Sequence, residues 1–171
     1  MDFTIRQAKL DDAAAIAHVQ VESWKTTYKG IVPDTFLDSM STEVQTQNWQ
    51  TWFADDTVLI FVAEDETGIF GFASGGRIRE ALGDYDAELY AIYLLGQRQR
   101  QQAGRRLSQA LASDLYASGF KSMLVWVLEA NPAVSFYKRL GGIPISQKLI
   151  EIGGVDLQEL ALGWPILDRL I

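Results

Sequence analysis

A strand–helix–strand run between Ala87 and Leu128 does most to limit the folds open to this chain. The apolar stretch Ala87 to Leu95 reads as a strand. After it, Ala103, Leu107, Leu111 and Leu115 recur every four residues, and Gly119 stands where a helix end is capped. Ser122 to Leu128 is a second strand. Two strands joined through a helix run parallel, by a right-handed crossover. A mixed sheet covered by helices follows, an α/β or α+β sandwich.

The remaining segments fit around that unit. Phe3 to Ala8 reads as a first strand, and Asp11 offers the N-cap of a helix over Ala13 to Tyr28, with Ile16, Val19 and Ser23 at helical spacing. Gly30 and Pro33 break it, and Asp34 to Met40 suggests a short second helix. Thr42 followed by Gln45 resembles a capping box for a third, reaching about Phe53. Thr57 to Glu64 and Ile69 to Arg77, joined at Glu66-Thr67-Gly68, make a hairpin. Asn131-Pro132 opens a last helix that stops at Gly141. Ile145 to Ile152 and Val155 to Leu162, around Gly153-Gly154, close the chain as another hairpin. With neither repeats nor a glycine-, serine- or proline-rich linker, residues 1–171 are expected to form one domain. A chain of this length buries roughly two-thirds of its unfolded surface.

Composition narrows the function. The chain is 48% hydrophobic and 22% charged, the balance of a soluble globular protein. Fifteen basic against 22 acidic residues give a net charge of −7, which disfavours a dedicated nucleic-acid or anionic-membrane binder and suits a cationic partner. The absence of cysteine excludes disulfide scaffolds, zinc ribbons and thiol catalysis. The lone His18 supplies no histidine cluster, so no metal site is expected, and it reads as a packed or surface residue. The longest apolar runs, Val58 to Ala63 and Met123 to Leu128, fall far short of the ~20 residues of a membrane span. The N-terminus carries no leader pattern, and a cytoplasmic protein is expected.

Two segments carry chemistry. Leu89 to Ser113 holds Arg98, Arg100, Arg105 and Arg106 and no carboxylate. These arginines bracket a helix start, whose unpaired N–H groups and dipole favour an anion, and Gly104 lets the backbone approach a ligand. The reading is a pocket for a phosphate-bearing ligand or, equally, a solvated arginine-rich loop; neither a Gly-x-Gly-x-x-Gly nor a P-loop is present. The second segment is Asn131 to Gly141. Asn131 as N-cap and Pro132 at the first helical position start a helix whose Ala133, Phe136 and Leu140 share one face. Tyr137 falls at the margin of that face, its ring packed and its hydroxyl in reach of a cleft, or else an ordinary half-buried tyrosine.

These residues resemble a known family. Glu88 to Gly96, the Gln99 to Gly104 loop and Asn131-Pro132-x-x-x-Phe136-Tyr137-x-x-Leu140-Gly141 are similar to the GNAT superfamily of acetyl-CoA-dependent N-acetyltransferases. Ile5-Arg6-x-Ala8, the run Trp24 to Gly30 and Val32-Pro33 resemble its bacterial polyamine-type members. The resemblance spans nearly the whole chain, in order. It implies a mixed, mostly antiparallel twisted sheet of about seven strands with helices on both faces.

It also implies roles. Ile92 and Leu94 would lie along the coenzyme's pantetheine arm, and Gln99, Arg100, Gln102, Ala103, Gly104 and Arg105 would cradle its pyrophosphate. Gln102 and Arg100 replace glycines of the family's loop, and Gly96 replaces a common proline; a side chain at 102 limits positive φ, so binding is expected to be weakened. Arg100 could compensate with a charge-assisted contact. Asn131 would touch the coenzyme arm or fix the helix start. Tyr137 would be the general acid, and Glu88, ahead of Glu22, the base. Trp24 and Tyr28 would line the acceptor pocket. The expected partner is a small amine, with a polyamine in view. The alternatives are a coenzyme-binding regulatory domain without turnover, transfer of another acyl group, or acetylation of a protein amine. The apolar tail (Leu160, Leu162, Trp164, Ile166, Leu167) would serve either a homodimer or the core.

Overall fold

The crossover lies at the centre of a seven-stranded sheet. In this computed structural model, which describes residues 2–171, the strands are β1 (Thr4–Gln7), β2 (Leu59–Asp65), β3 (Gly68–Arg77), β4 (Ala87–Leu94), β5 (Met123–Leu128), β6 (Ile143–Ile152) and β7 (Val155–Trp164). Their order is β1-β2-β3-β4-β5-β7-β6, and β4–β5 is the one parallel pair among the described residues. The helices are α1 (Ala13–Thr27), α2 (Asp34–Ser39), α3 (Thr42–Phe53), α4 (Ala103–Ala117) and α5 (Ala133–Arg139). The expected architecture is present, with an α/β sandwich of helices on both faces of the sheet.

Each face buries the stripe that its sequence spacing foretells. Leu107, Leu111 and Leu115 of α4 are fully buried against one face with Leu89, Val125 and Leu162. Ile16 and Val19 of α1 and Trp49 of α3 cover the other, against Val62 and Phe72. Much of the apolar tail belongs to the first core: Leu162, Trp164 and Leu167 are buried, while Ile166 stays exposed. Gly119, at positive φ, ends α4 with the N–H of Phe120 returning to the Leu115 carbonyl at 3.1 Å.

Two helix starts differ from expectation. Before α1, Leu10–Asp12 forms a 3-10 turn, so Asp11 caps nothing; Asp12 instead accepts the Lys9 N–H and pairs with Arg6 at 2.7 Å. Ahead of α3, Ser41 rather than Thr42 is the cap, its hydroxyl accepting the Val44 N–H at 3.3 Å. At α3 the hydroxyl one residue earlier takes the capping role, whereas α1 starts without a side-chain cap because the Asp12 carboxylate is turned to Lys9 and Arg6.

Strand β4 positions the site. It pairs with β5 over only three residues, Ala87↔Met123, Glu88↔Leu124 and Leu89↔Val125. On its other side Ser74 opposes Ala91 and Gly75 opposes Leu89, so Tyr90 is an extra residue, a β-bulge. A bulge bends its strand and raises local twist. Here the bend and the last pair with β5 coincide, and beyond them the two strands part.

Candidate active site

Where β4 and β5 part, a cavity of about 1050 Å³ opens between them. Ile92, Tyr93 and Leu94 form one wall and Trp126, Val127 and Leu128 the other. The start of α4 closes one end, and α1 contributes Trp24 and Tyr28 at the opposite side. Past Leu89, β4 has no strand on its β5 side among the described residues, which leaves backbone groups there without a sheet partner, while the Leu94 carbonyl accepts from Ser23 and Gln99.

At the α4 end the loop reaches its geometry without glycine. Arg100 (φ 62°) and Gln102 (φ 69°) both adopt the left-handed conformation, where the family's loop has glycine. The expectation that a side chain at 102 would limit positive φ is therefore corrected. The backbone takes that shape anyway, at a cost of roughly 1–2 kcal/mol per residue. The first N–H groups of α4 remain unpaired within the helix and face the cavity end that Arg100, Gln102, Gly104 and Arg105 line. Such a donor set fits a polyphosphate. Gln102→Gly should release the strain and raise thermal stability by about 1 kcal/mol, read as a higher Tm; an unchanged or lower Tm would refute strain at this residue.

Half of the arginine cluster serves the fold. Arg98 pairs with Asp65 at 2.6 Å and lies over Phe70, and Arg106 reaches the Phe3 carbonyl and stacks on its ring. Arg100 and Arg105 alone of the four line the cavity, joined there by Arg139 of α5. Gln99 lines it too, its side-chain amide donating to the Leu94 carbonyl at 3.3 Å. Ala103 is buried beneath the loop and forms no part of the wall. Gly104 has a packing reason: a Cβ there would stand 3.1 Å from the Phe136 ring and 3.4 Å from Leu94. The close approach is thus between α4 and α5.

Asn131 fixes the start of α5 and a hydroxyl network together. Its Oδ1 accepts the Ala133 N–H at 2.8 Å, and its Nδ2 donates to the Tyr28 hydroxyl at 3.1 Å. Tyr28 in turn meets the Tyr93 hydroxyl at 3.4 Å. Trp24 stacks on Tyr28 at 4.5 Å between ring centroids. Tyr28 is therefore both cavity wall and a polar link between α1 and α5.

Tyr137 is deeper than a marginal position implies. It is only 4% exposed, its ring held between Phe136 and Trp164, whereas Phe136 stays half-buried. It lines the cavity, and its hydroxyl has no protein hydrogen bond among the described residues. Burial pushes its pKa far above the ordinary tyrosine value, with Tyr28 adding to the rise, so it stays protonated. Burial likewise raises Tyr28 and Tyr93.

The expected bases lie elsewhere. Glu88 is 2% exposed and absent from the cavity wall; its carboxylate receives the Arg79 guanidinium and, at 3.1 Å, the Arg79 N–H. Neither Glu22, exposed on α1, nor His18 lines the cavity. The carboxylate that does is Glu159 of β7, half-buried, with Arg79 on the same wall. Sequence reading passed over it. The available signal was an acidic residue two positions from both Leu157 and Ala161, on the strand face that those apolar residues share.

Comparison with known proteins adds to this geometry. The family model for FR47-like protein matches residues 66–150. The chain is 46% identical, over 98% of its length and 95% of the relative's, to an uncharacterised N-acetyltransferase of Bacillus subtilis, YuaI. Its fold is that of YncA from Salmonella typhimurium, an acetyltransferase solved with acetyl-CoA (TM-score 0.76, 22% identity, 98% of this chain and 95% of that one). It also matches the PaiA N-acetyltransferase of Thermoplasma acidophilum, solved with coenzyme A (TM-score 0.73, 22% identity, 94% and 98%).

Proposed function

The chain belongs to the GNAT superfamily of N-acetyltransferases, and from that premise we propose that it moves an acetyl group from acetyl-CoA to the primary amine of a small acceptor, by direct attack in a ternary complex. One observation carries this reading: a strand that leaves its parallel neighbour at a bulge, with a helix N-terminus at one end of the opening and a buried, unpartnered tyrosine hydroxyl along it.

Each wall has a part in the reading. Ile92 and Leu94 run along the pantetheine arm, with the Leu94 carbonyl already accepting from Gln99 and Ser23. The first N–H groups of α4, with Gln99, Arg100, Gln102 and Arg105, take the pyrophosphate. Glu88 holds Arg79 in place and does not touch the reacting atoms. Trp24 and Tyr28 bound the acceptor side, where aromatic faces suit a cation. Tyr137 gives its proton to the sulfur as the thioester C–S bond breaks; burial keeps the hydroxyl protonated until then, so the transfer is concerted with the charge that develops on sulfur.

Thiol release from acetyl-CoA, measured against monoamines, polyamines, amino acids, aminoglycosides and a peptide with a free amine, tests the function. Release that requires one amine is the expected result. Coenzyme binding with silence across the panel would replace the transferase by a regulatory domain. The resemblance of the opening helix puts polyamines in the panel, and a peptide amine tests a protein acceptor. The chain contains no helix long and apolar enough to cross a membrane among its described residues.

A further inference from the structure

The charges on the cavity wall bear on the acceptor itself, a step that rests on the acetyl-transfer reading. Five charged residues line the cavity: Arg79, Arg100, Arg105, Arg139 and Glu159. Among the described residues Glu159 is the sole carboxylate of the wall. It sits on β7 opposite Leu128 of β5 and Lys148 of β6. Leu157, two residues before it, packs with Tyr28 and Leu128, so strand alternation sends Glu159 to the face that carries the acceptor-side aromatics.

Its charged surroundings leave it unmatched. The groups that act on it are Lys148 of β6, Arg79 and Glu80 of the β3–β4 connection, and Glu88 of β4. All four are already engaged with one another, Arg79 with Glu88 and Lys148 with Glu80. Glu159 makes no ion pair and no side-chain hydrogen bond among the described residues. A half-buried carboxylate without a partner is costly until a cation reaches it. Burial raises its pKa, with Glu88 and Glu80 adding to the rise and Lys148 and Arg79 opposing it. The folded chain therefore holds this proton to a higher pH than the unfolded chain does, and stability falls as pH rises through that interval. A bound ammonium would reverse the shift.

We propose that Glu159 receives the acceptor's ammonium group and takes one of its protons before attack, and that the acceptor carries a single cationic centre on an apolar or aromatic body. One unmatched carboxylate compensates one ammonium. A second ammonium in reach of this wall meets the Arg79 guanidinium, while Trp126, Leu128, Ile150 and Ile152 beside Glu159 offer hydrophobic surface. The step balances as follows. One ammonium proton passes to Glu159, and the freed nitrogen lone pair forms the N–C bond to the thioester carbonyl. The C–S bond breaks, the sulfur takes the Tyr137 proton, and a second nitrogen proton restores Tyr137. Glu159 returns its proton to solvent, leaving amide, free thiol and one proton.

The experiment uses phenethylamine as monocation and spermidine as polycation, with the wild type, Glu159→Gln and Glu159→Asp. In the Gln variant at pH 7.5, kcat/KM for phenethylamine should fall about 100-fold. The deficit should narrow markedly by pH 10, where about a third of an alkylamine is already neutral against well under 1% at pH 7.5. Asp should restore part of the activity. Calorimetry on the CoA-saturated protein should show weaker phenethylamine binding in the Gln variant and an unchanged affinity for CoA. Amine binding that ignores the substitution, a loss equal at every pH, or a preference of the wild type for spermidine would each overturn the proposal. Failure of the wild type to release thiol with any amine would overturn the transferase reading beneath it, whereas wild-type turnover with an insensitive Glu159 sinks this inference alone.

Discussion

Tyr137→Phe should lower kcat by about 100-fold or more while coenzyme affinity stays within two-fold. The physical case rests on what the substitution leaves alone. The ring keeps its tilted contact with Phe136 and its edge contact with Trp164, centroids at 5.3 and 6.2 Å, so packing is conserved. The hydroxyl has no protein hydrogen bond to lose, and its removal leaves no buried partner stranded, so Tm should change by less than about 2 °C. What disappears is a proton donor on the cavity wall whose burial keeps it protonated at every pH an assay would use. Tyr28 and Tyr93 also line the cavity, but their hydroxyls are engaged with Asn131 and with each other, which leaves Tyr137 as the uncommitted donor of the three. The expected signature is a loss confined to kcat. Burst experiments should locate it in the chemical step. Turnover like that of the wild type across the pH range would remove Tyr137 from the mechanism.

What could be read in advance divides along a physical line. The α4 stripe and the Asn131-Pro132 start were legible because a helix face and a cap are local: every atom that decides them lies within a turn. The depth of Tyr137 was not legible. Helical spacing places it about 100° from Phe136, but Trp164 on β7 decides how much of that angle is covered. The same holds for the arginines. Asp65, Phe70 and Phe3 claim Arg98 and Arg106 through contacts dozens of residues away, so a count of charges in one segment overstated the anion site. Glu88 stands near the start of β4 in sequence, yet Arg79 covers it in space. Glu159 enters the cavity only because β7 lies beside β5, a neighbour relation fixed by the sheet order. The loop departures at Arg100 and Gln102 were visible, and both residues take the left-handed conformation that a side chain disfavours.

Gly75→Ala should produce the largest loss of stability from one added methyl group near the site. Gly75 lies on β3 opposite Leu89, at the step where β4 carries its extra residue. A Cβ built there would come within 2.6 Å of the Glu88 carbonyl oxygen and 2.8 Å of Leu111 on α4. The first neighbour is backbone of the paired strand and cannot turn aside; the second belongs to the fully buried helix stripe. Relief requires β4 to move away from β3 or α4 to lift from the sheet. Overpacking of this kind costs about 1–3 kcal/mol, which for a domain of this size lowers Tm by about 3–10 °C. Gly96→Ala is the matched control: nothing lies within 4 Å of its added Cβ and its φ is outside the left-handed region, so Tm should hold or rise slightly. The functional consequence follows from the same displacement. Moving β4 at its bulge changes where the strand departs from β5, so acetyl-CoA affinity should fall together with Tm in Gly75→Ala, whereas Gly96→Ala, itself on the cavity wall, controls for Tm alone. A Gly75→Ala protein as stable as the wild type would show that the bulge yields freely. The close packing of β3 against β4 would then have no part in holding the cleft open.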